Sequence, residues 1–216
     1  MLDPFKQNDK ALWQSLRNGD SLALETIYKL HVKALQQYGV RFAVDESQIT
    51  DCLHDLFVEI WQKREQLVEN IENIRFYLIK SLRNRLLRFI DTQKRTVLTD
   101  DISTFKFDFQ QAHDTTLMQN ETDTQRNNQL QTAIETLSPR QREALYLRFY
   151  QNLSYEEIAN IMNVEQQSAY NLIFRGVEAL RKQFGYLLFW FILQNPAFIL
   201  KLPILPNLFL NFFQKK

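Results

Sequence analysis

Two serines constrain the fold of this chain more than any other residues in it. Ser138 stands before Pro139 with Gln141 at the third helical position, and Ser154 stands before Tyr155 and Glu156 with Glu157 three residues on. Each is a capping box, in which the hydroxyl and the later side chain satisfy backbone N–H groups that a helix leaves bare at its start. After the first cap, Ala144, Leu145, Leu147 and Phe149 supply an apolar face; after the second, Ile158, Ile161 and Met162 recur at helical spacing around the small Ala159. The spacing predicts two short amphipathic helices in immediate succession.

Asn163 tolerates the left-handed conformation that ends such a helix, and Val164 can plug the corner before a third helix opens near Glu165. A pair of helices joined this tightly is a helix-turn-helix, whose second member enters the DNA major groove. Gln166, Gln167, Ser168, Tyr170, Asn171 and Arg175 are then the candidates to meet base edges or phosphates, with Arg181 and Lys182 adding backbone charge. The alternative is a generic αα-hairpin with a small residue at its crossing, a unit found throughout all-α folds.

Residues 137 to 159, LSPRQREALYLRFYQNLSYEEIA, resemble region 4 of bacterial RNA polymerase sigma factors, whose usual run is L-x-x-x-Q-R-E-x-x-x-L-R-x-x-x-x-L-S-Y-x-E-I-A. The resemblance implies a domain that grips the minus-thirty-five promoter element with residues 166 to 175. Tyr170 and Leu172 stand where many members carry basic residues.

A chain of 216 residues with 45% hydrophobic content can bury two small cores. Only 4 Gly and 5 Pro interrupt it, with Pro196, Pro203 and Pro206 all crowded near the end, so the body is compatible with long helices. Strand alternation and hairpin signals are missing, and the expected class is all-α. Cys52 is the only cysteine, which excludes an internal disulfide and a thiolate metal cage and fits a reducing compartment. The opening residues MLDPFKQNDK lack an apolar signal core, so the expected location is cytoplasmic.

In the amino-terminal half, Leu12, Trp13 and Leu16, then Leu22 through Tyr38, keep helical spacing around a break at Asn18, Gly19 and Asp20. A third helix is expected from about Ser47 to Lys63, burying Ile49, Leu53, Leu56, Phe57, Ile60 and Trp61. A fourth should run from about Ile74 to Thr92. It carries a basic stripe of Arg75, Lys80, Arg83, Arg85 and Arg88, continued by Lys94 and Arg95, although the net charge of the whole chain is only +1. Opening DNA costs stacking energy, which proteins offset by holding unpaired bases against side chains and phosphates against Lys and Arg. Arg75, Arg83, Asn84, Arg85 and Arg88 suit that task; Phe76, Tyr77 and Phe89 read either as core or as a stacking platform.

Residues 9 to 95 resemble region 2 of the same family. GDSLALETIYKLHVKALQQYGVRF matches its opening helix, and ITDCLHDLFVEIWQKREQL its most constant one, usually A-x-D-x-x-Q-x-x-F-x-x-x-W, with His54 at the frequent Gln. That helix in the family docks on the clamp coiled coil of the largest polymerase subunit, which implies this role for Asp51, His54, Asp55, Glu59 and Trp61. On charge alone the same acidic face is a solvated surface. NIRFYLIKSLRNRLLRFIDTQKR resembles the promoter-melting and minus-ten segment, and the loop before it, about Arg64 to Asn73, matches the element that captures a flipped minus-ten base. The resemblance assigns that contact to Glu69, Asn70 and Asn73.

Residues 96 to 126 lack periodicity, are rich in Asp, Thr, Gln and Asn, and read as an acidic linker. Fully extended, about 30 residues reach roughly 100 Å. The linker reads either as a solvated tether or, by resemblance, as a segment that threads the RNA exit channel. Phe105, Phe107 and Phe109 alternate, so they could pack as a short strand or against either domain, giving a closed resting state. From residue 184 to 216 the chain is apolar and aromatic, unlike ordinary members of the family, but Gln194, Asn195, Pro196, Lys201, Pro203 and Pro206 break every stretch long enough to span a bilayer. That tail has three readings: packing on the protein's own domains, docking of an inhibitory partner, or shallow insertion at a membrane face.

The sequence therefore leads to a domain plan of region 2 at 9–95, linker at 96–126, region 4 at 127–183 and tail beyond. The expectation is an extracytoplasmic-function sigma factor that joins core RNA polymerase, reads and melts promoter DNA, and answers to an anti-sigma protein. The alternatives are a stand-alone helix-turn-helix regulator and a membrane-associated interaction protein. Catalytic residues, cofactors and metals are not expected: His31, His54 and His113 are scattered, no glycine-rich phosphate loop is present, and His54 beside Asp55 lacks a nucleophile.

Overall fold

The computed structural model describes residues 4–42, 44–96, 106–108 and 133–184, and every regular element among them is helical. The linker outside 106–108, with Phe105 and Phe109, and the apolar tail beyond Phe184 lie outside the described residues. Four helices build the amino-terminal half: α1 (Pro4–Arg17), α2 (Ser21–Gly39), α3 (Glu46–Gln62) and α4 (Ile74–Thr96). Short 3-10 turns follow α2 at Val40–Phe42 and α3 at Arg64–Gln66. The carboxyl-terminal half holds α5 (Pro139–Phe149), α6 (Tyr155–Met162) and α7 (Gln166–Phe184).

The break between α1 and α2 falls at Asn18, Gly19 and Asp20, where the Asp20 carboxylate accepts from the Leu22 N–H and starts α2. Asn73 and Asp9 share the opening of α4: the Asn73 Oδ1 accepts from Phe76 N at 3.1 Å, and Asp9 reaches from α1 to accept from Ile74 N at 2.9 Å. Trp13, fully buried, donates its indole N–H to the Val68 carbonyl at 2.8 Å, pinning α1 to the loop between α3 and α4. Around it Leu16, Ile27, Leu35, Ile49, Leu78 and Leu82 form the core of the bundle. The end of α2 approaches α3 so closely that a Cβ on Gly39 would stand 2.6 Å from Ile49 Cγ2; glycine is required there for lack of room.

Both carboxyl-terminal caps form as the sequence predicts, each with both halves of the box made. Asn163 adopts the left-handed conformation, with φ 52°, and closes α6. Ala144, Leu145, Leu147, Ile158, Ala159, Ile161 and Met162 are buried against Ala169 and Ile173 of α7. Gly176 permits the crossing of α5 and α7, since a Cβ there would lie 3.0 Å from Leu145 Cδ1.

Candidate nucleic-acid and polymerase interface

The first turns of α7 present their polar residues outward. Gln166, Gln167, Ser168, Asn171 and Arg175 are all exposed, and Gln167 donates to Asn171 at 3.3 Å one turn on. Tyr170 is only half-exposed, because its ring packs between Tyr155, at 5.5 Å, and Phe174, stacked at 6.1 Å. The loop between α5 and α6 is held by Arg148, which donates to the Leu153 carbonyl at 2.8 Å and lies over the Tyr155 ring.

The sequence candidates on α3 divide between two faces. His54 and Trp61 line an apolar groove of about 430 Å³ between α2 and α3, together with Tyr28, Val32, Leu53 and Phe57. Glu59 turns the other way and pairs with Lys63 at 2.6 Å and with Arg85 of α4. Asp51 and Asp55 are exposed. Trp61, expected in the core, is half-buried at the groove with the Arg64 guanidinium over its ring, because its position at the edge of the stripe leaves one face uncovered. The groove includes the exposed Tyr28 and Val58, an apolar surface of the kind that marks contact sites.

On α4 the candidates divide again. Asn84 and Arg88 are exposed and, with Arg85, line a small polar cleft of about 180 Å³ beside α3. Arg75 is half-buried, while Glu69 and Asn70 are exposed in the preceding loop, Glu69 within 3.6 Å of Arg17. Phe76, Tyr77 and Phe89 are all half-buried; Tyr77 packs edge-on against Trp13 at 5.0 Å.

Arg83 departs from the sequence reading, which had it facing DNA. It is 8% exposed and forms a two-pronged pair with Glu143 of α5, Nε to Oε1 at 2.7 Å and Nη2 to Oε2 at 3.2 Å. Glu143 is fully buried and also accepts from the Tyr38 hydroxyl at 2.7 Å. Burial alone would push the Arg83 pKa down, but the hydrogen bonds and field of Glu143 more than offset it and the pKa moves up; Tyr38, buried beside the same carboxylate, is held well above the usual phenol range. Asn73, a second minus-ten candidate, donates to Glu157 of α6 at 2.6 Å, and Lys80 donates to Asn160 of α6 at 2.5 Å.

The two halves thus meet across α4. Phe107 of the linker is fully buried between them, with ring contacts to Phe42 at 5.4 Å and to Tyr38 and Tyr146 at 5.9 Å each. This is one of the packings that the alternating phenylalanines allowed, with no strand formed at 106–108. Asp108 completes the join: its N–H donates to the Arg41 carbonyl at 2.8 Å and its carboxylate accepts from Arg142 at 2.6 Å.

Residues 27–96 match the sigma-70 region 2 family and residues 127–180 match sigma-70 region 4, together more than half of the chain. The chain is 22% identical over 160 residues to the ECF RNA polymerase sigma factor SigX of Bacillus subtilis (strain 168), covering 73% of this chain and 81% of that protein. Among solved structures it shares its fold with CnrH in complex with the cytosolic domain of CnrY, at TM-score 0.54 and 17% identity, over 81% of this chain and 95% of that one. It also matches the sigma factor RpoE of Bartonella quintana in complex with the anti-sigma factor NepR, at TM-score 0.54 and 20% identity, over 74% and 95% of the two chains. Fold and site define a two-domain transcription initiation factor with a helix-turn-helix. The chain belongs to the sigma-70 family, in its extracytoplasmic-function form, and its role is to bind RNA polymerase and recognise promoters.

Proposed function

We propose that residues 9–95 dock this chain on core RNA polymerase and hold the opened minus-ten strand, while residues 127–183 read the minus-thirty-five element and residues 96–126 connect the two. The polymerase contact is made by the apolar groove of α2 and α3 with His54 and Trp61, rimmed by Asp51 and Asp55; an apolar centre with a charged rim is the usual anatomy of such an interface. Glu59 acts from the far side of α3 by positioning Arg85. The minus-ten strand is held by Glu69, Asn70 and Asn73 in the loop and by Arg75, Asn84, Arg85 and Arg88 on α4. The minus-thirty-five element is read by Gln166, Gln167, Ser168, Asn171 and Arg175, with Tyr170 bracing the helix.

The observation that carries this reading is that α7 displays a continuous polar face on a helix whose opposite face is locked into α5 and α6, the arrangement needed to insert a rigid reader into a groove. The chain performs no chemistry of its own, acts in the cytoplasm and is a substrate for control by an anti-sigma protein; among the described residues no helix is long and apolar enough to cross a membrane. The match of residues 27–96 to region 2 disfavours a stand-alone regulator.

The test is a double variant, Asn84→Ala with Arg88→Ala, in full-length protein. Both residues are exposed, so folding is spared. Open-complex formation should fall by roughly tenfold or more while affinity for core polymerase stays within about twofold, as expected for lost strand and phosphate contacts. Equal loss of both, or loss of neither, contradicts the assignment of α4.

A further inference from the structure

Among the described residues the groove between α2 and α3 is uncovered, and the chain carries a segment whose chemistry matches it. The groove is lined by buried Leu53 and Phe57, half-buried Val32 and Trp61, and exposed Tyr28 and Val58. Tyr28 and Phe57 meet edge-on at 5.0 Å, an arrangement that offers both a ring face and a ring edge to an incoming aromatic side chain. The α3 side of the rim is acidic: Glu46, Asp51 and Asp55 are exposed, and no lysine or arginine stands between Glu46 and Gln62. The sequence beyond Phe184 has the complementary character. Residues 186–193, YLLFWFIL, hold no charged or amide side chain, and from Gly185 to Lys216 the only charged residues are Lys201, Lys215 and Lys216.

We infer that residues 186–193 dock in this groove in the free protein, with the lysines that follow attracted to its acidic rim. Reach does not limit the contact. About 30 extended residues span roughly 100 Å, whereas a folded chain of this size has a radius of gyration of roughly 17 Å. A segment tethered to its own site meets it at an effective concentration near the millimolar range, so modest intrinsic affinity is enough to fill the groove. A bilayer is the poorer host, because Gln194, Asn195 and Pro196 end the apolar run well short of the about 20 residues that a spanning helix needs. The functional consequence rests on the reading of the groove as the polymerase contact. Tail and polymerase then compete for one surface, and the apparent affinity for polymerase falls with the fraction of chains whose groove is free.

The experiment uses the full chain with photoreactive p-benzoylphenylalanine in place of Val58. The protein is mixed with isotope-labelled chain, irradiated, and the attachment site is read by mass spectrometry. Adducts should fall within residues 186–193 of the same chain and should be lost when Leu188→Asp and Phe191→Asp are introduced together, since a carboxylate in an apolar groove beside an acidic rim is costly. Adducts that link two chains put a second copy in the groove and overturn the docking. Adducts elsewhere, or none, overturn it as well, and flotation of the chain with phosphatidylglycerol vesicles would then identify a membrane surface as the host of the tail. The same double variant, without the photoprobe, should bind core polymerase with a Kd at least about tenfold lower than the parent. Adducts within residues 186–193 together with an unchanged Kd leave the docking standing and remove the groove from the polymerase contact, so that the assignment under the proposed function is what fails.

Discussion

His31 is a buried side chain whose neighbours set a measurable property of the protein. Neither of its ring nitrogens has a hydrogen-bond partner among the described residues, and it is 6% exposed. Burial first, and the positive charge of Arg75 second, hold its pKa below the ordinary 6.5, with Asp9 pulling weakly the other way. The unfolded chain takes up a proton on this residue at about the ordinary value, and the folded chain only at lower pH. The unfolded state therefore binds more protons in the window below 6.5, and the stability His31 contributes is complete above that pH and is lost as pH falls. His31→Leu should flatten this dependence: between pH 7.5 and 5.5 the urea midpoint of the parent should drop further than that of the variant. Parallel shifts in both would show that His31 does not titrate differently on folding.

Among the helices, those written into local chemistry were the most legible. Ser138 with Gln141 and Ser154 with Glu157 announced α5 and α6, and Asn163 announced the turn, because a cap is a contact between residues three or four apart. The hydrophobic stripe of α3 was legible for the same reason, save for Trp61, whose half-exposure depends on how far α2 covers it. The role of Glu143 was hidden. It sits in a run of polar residues at the start of α5, and nothing local distinguishes a solvated carboxylate from one buried against Arg83 and Tyr38, far off in sequence. Periodicity reports which face of a helix is apolar, not which charged residue will find a partner. Ser154→Ala removes one half of the α6 cap and should cost about 1 kcal/mol, read as a lower urea midpoint with the far-ultraviolet spectrum preserved. A change below a few tenths would mean that Glu157, also bonded to Asn73, holds this end of α6 without the hydroxyl.

At the scale of the whole molecule the two helical units were legible and their arrangement was not. A polar, aperiodic segment such as 96–126 reads as a tether that lets its neighbours separate, yet Phe107 within it is buried with Tyr38, Phe42 and Tyr146. The alternation of Phe105, Phe107 and Phe109 left packing on either domain open beside a short strand, and periodicity alone could not choose between them, although the burial of Phe107 removes a large apolar area from water. The resulting closed form leaves α7 and the α2–α3 groove open while covering part of α4. The central claim, that this chain directs polymerase to promoters, is tested most directly by supplying it as the sole initiation factor to core RNA polymerase on genomic DNA and mapping the RNA 5′ ends. The account predicts discrete start sites that vanish when the factor is omitted and share upstream sequence at two fixed distances. Folded factor that yields no start sites beyond those of core polymerase alone would contradict it.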